Sequence, residues 1–187
     1  MRSILPLFAV AFAAAAPAVA TEVVSLPQFR SVELRGGGIV TIVPGPAERV
    51  TIIEGSSQFT RMRVDNDGKL RIDTCFERCP PVYRLRVEIQ SPRVPDLGIS
   101  GGGAITAAGG FRPQQQLSAA VNGGGRIDAR AVAASSVSAA VNGGGELLVS
   151  PRASLSAAVN GGGHVRYWGN PSVSMAVRGG GAVTRGF

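Results

Sequence analysis

Aromatic residues make up only 5% of this chain, and their scarcity narrows what it can bind. With one Trp and two Tyr, no series of stacking rings accompanies the arginines, which argues against nucleic acid as a partner. Histidine is rarer still. His164 stands alone, with no orienting acid and nucleophile set beside it by pattern, so no hydrolytic triad is legible and an exposed residue is expected. Cys75 and Cys79 are the only cysteines, too few ligands for a metal centre, and no cofactor is expected. After residue 20 no apolar run is long enough to cross a bilayer as a helix.

What is present begins with a leader. Arg2 precedes an apolar run from Ile4 to Ala16, and Ala18-Val19-Ala20 is a small-x-small cleavage site before Thr21. Residues 1–20 therefore read as a secretory signal peptide, and no Cys follows the cut to carry a lipid. Residues 21–187 are expected to form one exported domain, in the periplasm, at the cell surface or secreted. An oxidising compartment favours a local Cys75–Cys79 disulfide ahead of Pro80-Pro81, with free or redox-active thiols as the alternative. The formal charge is +7, so loss of Arg2 leaves 7 − 1 = +6, and Lys69 is the sole lysine. Such an excess favours anionic envelope glycans or head groups, although net charge also simply keeps a protein soluble.

From Val23 onward the chain alternates apolar and polar residues, as in Leu85, Val87 and Ile89 against Arg84, Arg86 and Glu88. Period-2 patterning predicts strands with one buried face, and no helix is legible after the leader. Asp65-Asn66-Asp67-Gly68, between Met62-Arg63-Val64 and Leu70-Arg71-Ile72, predicts a tight turn. The expected class is all-β.

One phrase recurs: LSAAVNGGG, VSAAVNGGG, LSAAVNGGG, then VSMAVRGGG. Glycine triplets begin at Gly36, Gly101, Gly123, Gly143, Gly161 and Gly179, and the last four are spaced 143−123 = 20, 161−143 = 18 and 179−161 = 18 residues. Two residues before each triplet stand Leu34, Ile99, Val121, Val141, Val159 and Val177. Four residues after its first glycine stand Val40, Ile105, Ile127, Leu147, Val165 and Val183. Copies this short cannot bury an apolar face alone and must lean on neighbours. The spacing predicts a single-stranded parallel β-helix, or β-solenoid, with rungs of about 18–22 residues and glycines where the chain turns sharply. The gap between Gly36 and Gly101, 101−36 = 65 residues, is expected to hold three further turns. Asn122, Asn142 and Asn160 share one slot and read as a structural amide ladder, or else as an exposed row that recognises sugar.

The strand-GGG-strand copies, closed by Tyr167-Trp168-Gly169-Asn170-Pro171-Ser172-Val173 and Arg178-Gly179-Gly180-Gly181-Ala182-Val183, resemble the head GIN domain family, also called auto-transporter adhesins. Phe29-Arg30-Ser31-Val32-Glu33-Leu34 resembles the family's opening, so the resemblance spans nearly all of residues 21–187. It implies a right-handed parallel β-helix in a bacterial cell envelope and supplies no catalytic residues. This chain departs from the family in using GGG where Gly-Ser-Gly is common.

No enzymatic activity is expected. A polysaccharide lyase or hydrolase, the alternative, needs clustered carboxylates, and Asp96, Asp128 and Glu146 fall in different slots. Phe187 ends the chain as in outer-membrane barrels, but Gly181, Val183 and Arg185 do not make a lipid-facing strand. The expected function is a non-catalytic adhesin or envelope-associated scaffold. Arg126, Arg152 and Arg166 are the candidate contacts to an anionic glycan or another envelope protein. The last copy, Val173 to Val183, lacks a polar cap and suggests a homo-oligomer joined through it.

Overall fold

The computed structural model describes residues 21–186. Residues 1–20, read above as a signal peptide, and Phe187 lie outside the described residues. The described chain is all strand and turn. In order come β1 (Glu22–Val24), β2 (Ser31–Gly36), β3 (Ile39–Pro44), β4 (Arg49–Glu54), β5 (Arg61–Val64) and β6 (Lys69–Asp73). They are followed by β7 (Arg86–Ser91), β8 (Asp96–Gly101), β9 (Ala104–Ala107), β10 (Gln114–Gly123) and β11 (Arg126–Gly143). The chain ends with β12 (Glu146–Asn160), β13 (His164–Tyr167), β14 (Ser172–Arg178) and β15 (Ala182–Arg185).

All belong to one sheet of 15 strands, curled into a half-barrel. One limb runs β5-β6-β2-β8-β10, continues through the second halves of β11 and β12, and ends at β14. The other runs β1-β4-β7-β3-β9, through the first halves of β11 and β12, to β13 and β15. Alternation sends one set of side chains from both limbs into a single core, which includes Leu34, Val121, Val141 and Val159 from the first limb and Val40, Ile127, Leu147 and Val165 from the second.

The expected right-handed parallel β-helix is therefore corrected to a curled mixed sheet. Three strand pairs are antiparallel: β1 with β4, β4 with β7, and β5 with β6. The cause of the last is visible in the chain. Gly68, at φ +74, closes a tight turn in which its N–H donates to the Asp65 carbonyl at 2.9 Å. Strands joined by so short a link must run in opposite directions, whereas parallel neighbours need a long crossover. Nor are there uniform rungs, since strands range from 3 to 18 residues. β11 and β12 pass from one limb to the other unbroken, with register shifts at the bend between Ala129 and Ser136.

The three turns expected between Gly36 and Gly101 are also absent. β2 pairs directly with β8, Gly36 opposite Gly101. The intervening residues supply one parallel layer, β6 and β7, on the far side of β2 and β3, and then the antiparallel strands at the end. Between β6 and β7, where other layers have a glycine triplet, the chain carries the Cys75–Cys79 disulfide, with Cα atoms 5.6 Å apart. Thr74 ties that loop to the neighbouring layer, its hydroxyl donating to the Gly37 carbonyl at 2.5 Å.

Glycine is required at the turns because layers approach closely there. Gly143 has φ +116, and a β-carbon on it would stand 2.7 Å from the Gly123 carbonyl oxygen. One on Gly145 would stand 2.5 Å from a Val121 methyl carbon and 2.6 Å from the Gly125 carbonyl oxygen. The middle residue, Gly144, faces nothing within 4 Å.

Candidate functional site

Alternation that buries one set of side chains turns the other set outward, and parallel register lines these up across strands. On the first limb, Asn142 Nδ2 donates to Asn122 Oδ1 at 2.9 Å, and Asn160 Nδ2 donates to Asn142 Oδ1 at 2.9 Å. Ser100 precedes this row and Arg178 follows it. Beside it run small residues and serines. Ser118, Ser138, Ser156 and Ser174 share a row, and Ser154 Oγ stands 2.9 Å from Ser136 Oγ. A shallow groove of about 580 Å³ crosses these serines, bounded by Asp96. The Asp96 carboxylate accepts from the Ser118 N–H at 3.0 Å.

The second limb carries charge. Ala104, Arg126, Glu146, His164 and Ala182 lie in register, and next to them Thr106, Asp128, Leu148, Arg166 and Thr184. Arg126 pairs with Glu146 and stands 4.0 Å from Asp128. Arg130 Nη2 donates to Asp128 at 2.6 Å, and its Nε donates to the same carboxylate at 2.9 Å. That hydrogen bonding, despite some burial, holds the Asp128 carboxyl below its ordinary value. Leu148, between Asp128 and Arg166, is 2% exposed although it lies outside the main core cluster.

Beyond Arg130 the surface opens into a cavity of about 460 Å³ lined by Arg130, Ser150, Pro151, Arg152, Trp168 and Asn170, among others. The Arg130 guanidinium carbon lies 5.1 Å from the Trp168 ring centroid. Arg152 is exposed and makes no ion pair among the described residues. Arg166, two residues before Trp168, is likewise exposed and makes no ion pair among the described residues.

The three arginines singled out in the sequence thus differ. Arg126 is committed to acids, while Arg152 and Arg166 remain available near Trp168. Sequence reasoning passed over Trp168 and Arg130 as contacts, because they stand 168−130 = 38 residues apart and only the sheet brings them together. Of the three scattered carboxylates, Asp128 and Glu146 meet around Arg126, and Asp96 lies on the other limb. Among the described residues no group of three His, Cys, Asp or Glu side chains is placed to hold a metal ion.

Residues 113–171 match the family described as putative auto-transporter adhesin, head GIN domain. The match covers 171 − 113 + 1 = 59 of the 187 residues and is a likeness of that stretch. The matched stretch begins at the residue before β10 and ends at the residue before β14. It holds the asparagine row and the Trp168 cavity, and it is shorter than the near-complete span expected from the sequence. Among solved structures, a putative adhesin from Bacteroides fragilis is 17% identical, with a TM-score of 0.56, over 89% of this chain and 96% of its own. A putative adhesin from Parabacteroides distasonis is 16% identical, with a TM-score of 0.45 over 89% and 96%. A putative lipid binding protein from the same species is 14% identical, with a TM-score of 0.39 over 90% and 96%. The likeness to the B. fragilis protein is one of fold alone. No curated protein matches the chain. A head GIN match fits an envelope or surface protein, and no helix among the described residues is long and apolar enough to cross a membrane.

Proposed function

We propose that this chain is a non-catalytic, exported binding domain, an adhesin or envelope scaffold, that holds an acidic glycan through its arginine-bearing limb. The observation that carries the reading is the cavity in which unpaired Arg152 adjoins Trp168, Arg130 and Asn170, with Arg166 close by in the chain. A guanidinium with free N–H donors grips a carboxylate or sulfate in a planar fork. The Trp168 indole, packed against Arg130 and Gly186, forms a wall of the cavity, and the Asn170 amide can bond sugar hydroxyls. From residue 131 onward the sequence holds Arg152, Arg166, Arg178 and Arg185 against a single acid, Glu146, which Arg126 already neutralises. That stretch of the chain therefore carries a net positive charge.

Acid–base chemistry fits less well. Asp128 and Glu146 are both spent on arginines, and a carboxyl held ionised by Arg130 is poorly suited to act as a general acid.

Retention of the protein on immobilised polygalacturonate, compared with a neutral glucan, tests the reading. Expected are retention that weakens between 50 and 300 mM salt and a loss of at least about fivefold in affinity for Arg152→Ala. Equal retention on both polymers, or an unaltered Arg152→Ala variant, overturns it. Release of reducing ends from the acidic polymer would overturn the non-catalytic part.

A further inference from the structure

The two ends of the half-barrel are finished differently. At one end the sheet closes with antiparallel strands whose outward side chains form ion pairs: Arg63 with Asp73 at 3.1 Å, Arg71 with Asp65 at 2.7 Å, and Arg35 with Asp73 at 3.4 Å. At the other, β14 and β15 each bond to a single neighbour among the described residues, which leaves one edge of each without a strand partner there. Val173, Met175 and Val177 of β14 lie in register with Leu155, Ala157 and Val159 of β12, which are buried. With no next layer over them, Met175 is 60% exposed and Val177 41%.

We propose that β14 pairs antiparallel with β14 of a second copy of this chain, about a twofold axis at Met175, to form a closed dimer. Register supports it. Setting Met175 opposite Met175 of the second copy places Val173 opposite Val177, Ser174 opposite Ala176, and Ser172 opposite Arg178. Every core-facing residue then meets a core-facing residue, and every outward residue an outward one, because side chains alternate with a period of two. The segment SVSMAVR is close to self-complementary in this sense. Its one charge, Arg178, meets a serine rather than another arginine, so no like charges oppose each other. The pairing continues the core across the junction and covers the β14 edge, which in water otherwise recruits strands without selection.

Closure follows from the other end. Continuing the sheet head to tail would seat β14 on β5, whose sequence is Arg61-Met62-Arg63-Val64. That would bring Arg178 near further arginines, and Arg63 is already held by Asp65 and Asp73. An isologous contact uses the same surface twice and stops at two, whereas a heterologous one grows into a fibre.

Sedimentation equilibrium of the secreted chain over a hundredfold range of concentration reads the result. The expected outcome is a monomer–dimer equilibrium, with Met175→Arg weakening the dimer at least about tenfold by setting two cations face to face on the axis. Because Met175 is exposed in the single chain, Met175→Arg should keep the thermal melt of the monomer. Register is read separately by disulfide trapping. Met175→Cys should cross-link to itself under mild oxidation, Val177→Cys alone should not, and the pair Val173→Cys and Val177→Cys together should. A monomer at every concentration, mass rising beyond two copies, a dimer indifferent to Met175→Arg, or a Val177→Cys cross-link stronger than that of Met175→Cys overturns the proposal. None of these readouts depends on glycan binding, so the dimer and the binding function stand or fall separately.

Discussion

Asn142 donates its side-chain amide to Asn122 and accepts that of Asn160, both at 2.9 Å, so one residue joins three neighbouring strands on the outer face. An amide is the side chain that can do both at once, since it carries a donor and an acceptor on one planar group. Asn142→Ala removes two such bonds, and Asn122→Ala removes one. At an exposed row we expect losses of about 1 kcal/mol and about 0.5 kcal/mol in urea unfolding. Asn142→Asp replaces the donor with a second acceptor facing Asn122, and its deficit should shrink below about pH 4, where a protonated carboxyl donates again.

The glycine triplets should divide by position. Gly143→Ala forces a β-carbon against the Gly123 carbonyl at a backbone angle that side chains avoid, so we expect a loss of about 1–3 kcal/mol. Gly144→Ala meets no atom within 4 Å and should be neutral or stabilise by about 0.4–1 kcal/mol. Thermal melts of the two variants side by side check this.

Acid should dissolve the Asp128–Arg130 contact. The folded-state value of Asp128 lies below its unfolded value, so its contribution is complete above the ordinary carboxylate range near pH 4 and fades as pH falls through the lower folded value. The difference in melting temperature between the parent and Asp128→Asn should therefore be constant from pH 5 to 8 and close as the pH drops toward 2. A difference that instead grows in acid would show that the carboxylate is not stabilised by Arg130.

Reduction of Cys75–Cys79 should cost little. The bridge closes a ring of a few residues, for which chain entropy predicts about 2 kcal/mol. The Thr74 contact with Gly37 keeps the loop seated in any case. Denaturation with and without a phosphine reductant should show one cooperative transition in both states, shifted by no more than that amount.

Much of the inner face was legible in the chain. The residues two before and four after each first glycine of the first five triplets, from Leu34 and Val40 to Val159 and Val165, are all buried, because alternation alone decides which side of a strand a residue occupies. The sixth triplet departs from this. Val177 has the same slot and is 41% exposed, since burial needs a further layer above it. The asparagine row could also be foreseen from its slot, as parallel register places like residues side by side. The Trp168 cavity could not. Its residues lie in bends and loop ends, where sequence spacing carries no register.

Local pattern, then, was enough to assign strands, their inward faces and the sharp glycine turns, since each depends on a few neighbouring residues and on the size of a hydrogen atom. Only the folded sheet decided which strands became partners. It placed β2 against β8 across the inserted residues, turned β4 and β5 antiparallel, and ran β11 and β12 through both limbs. Those choices rest on hydrogen bonds and burial between distant segments, which are settled by competition among all the edges at once.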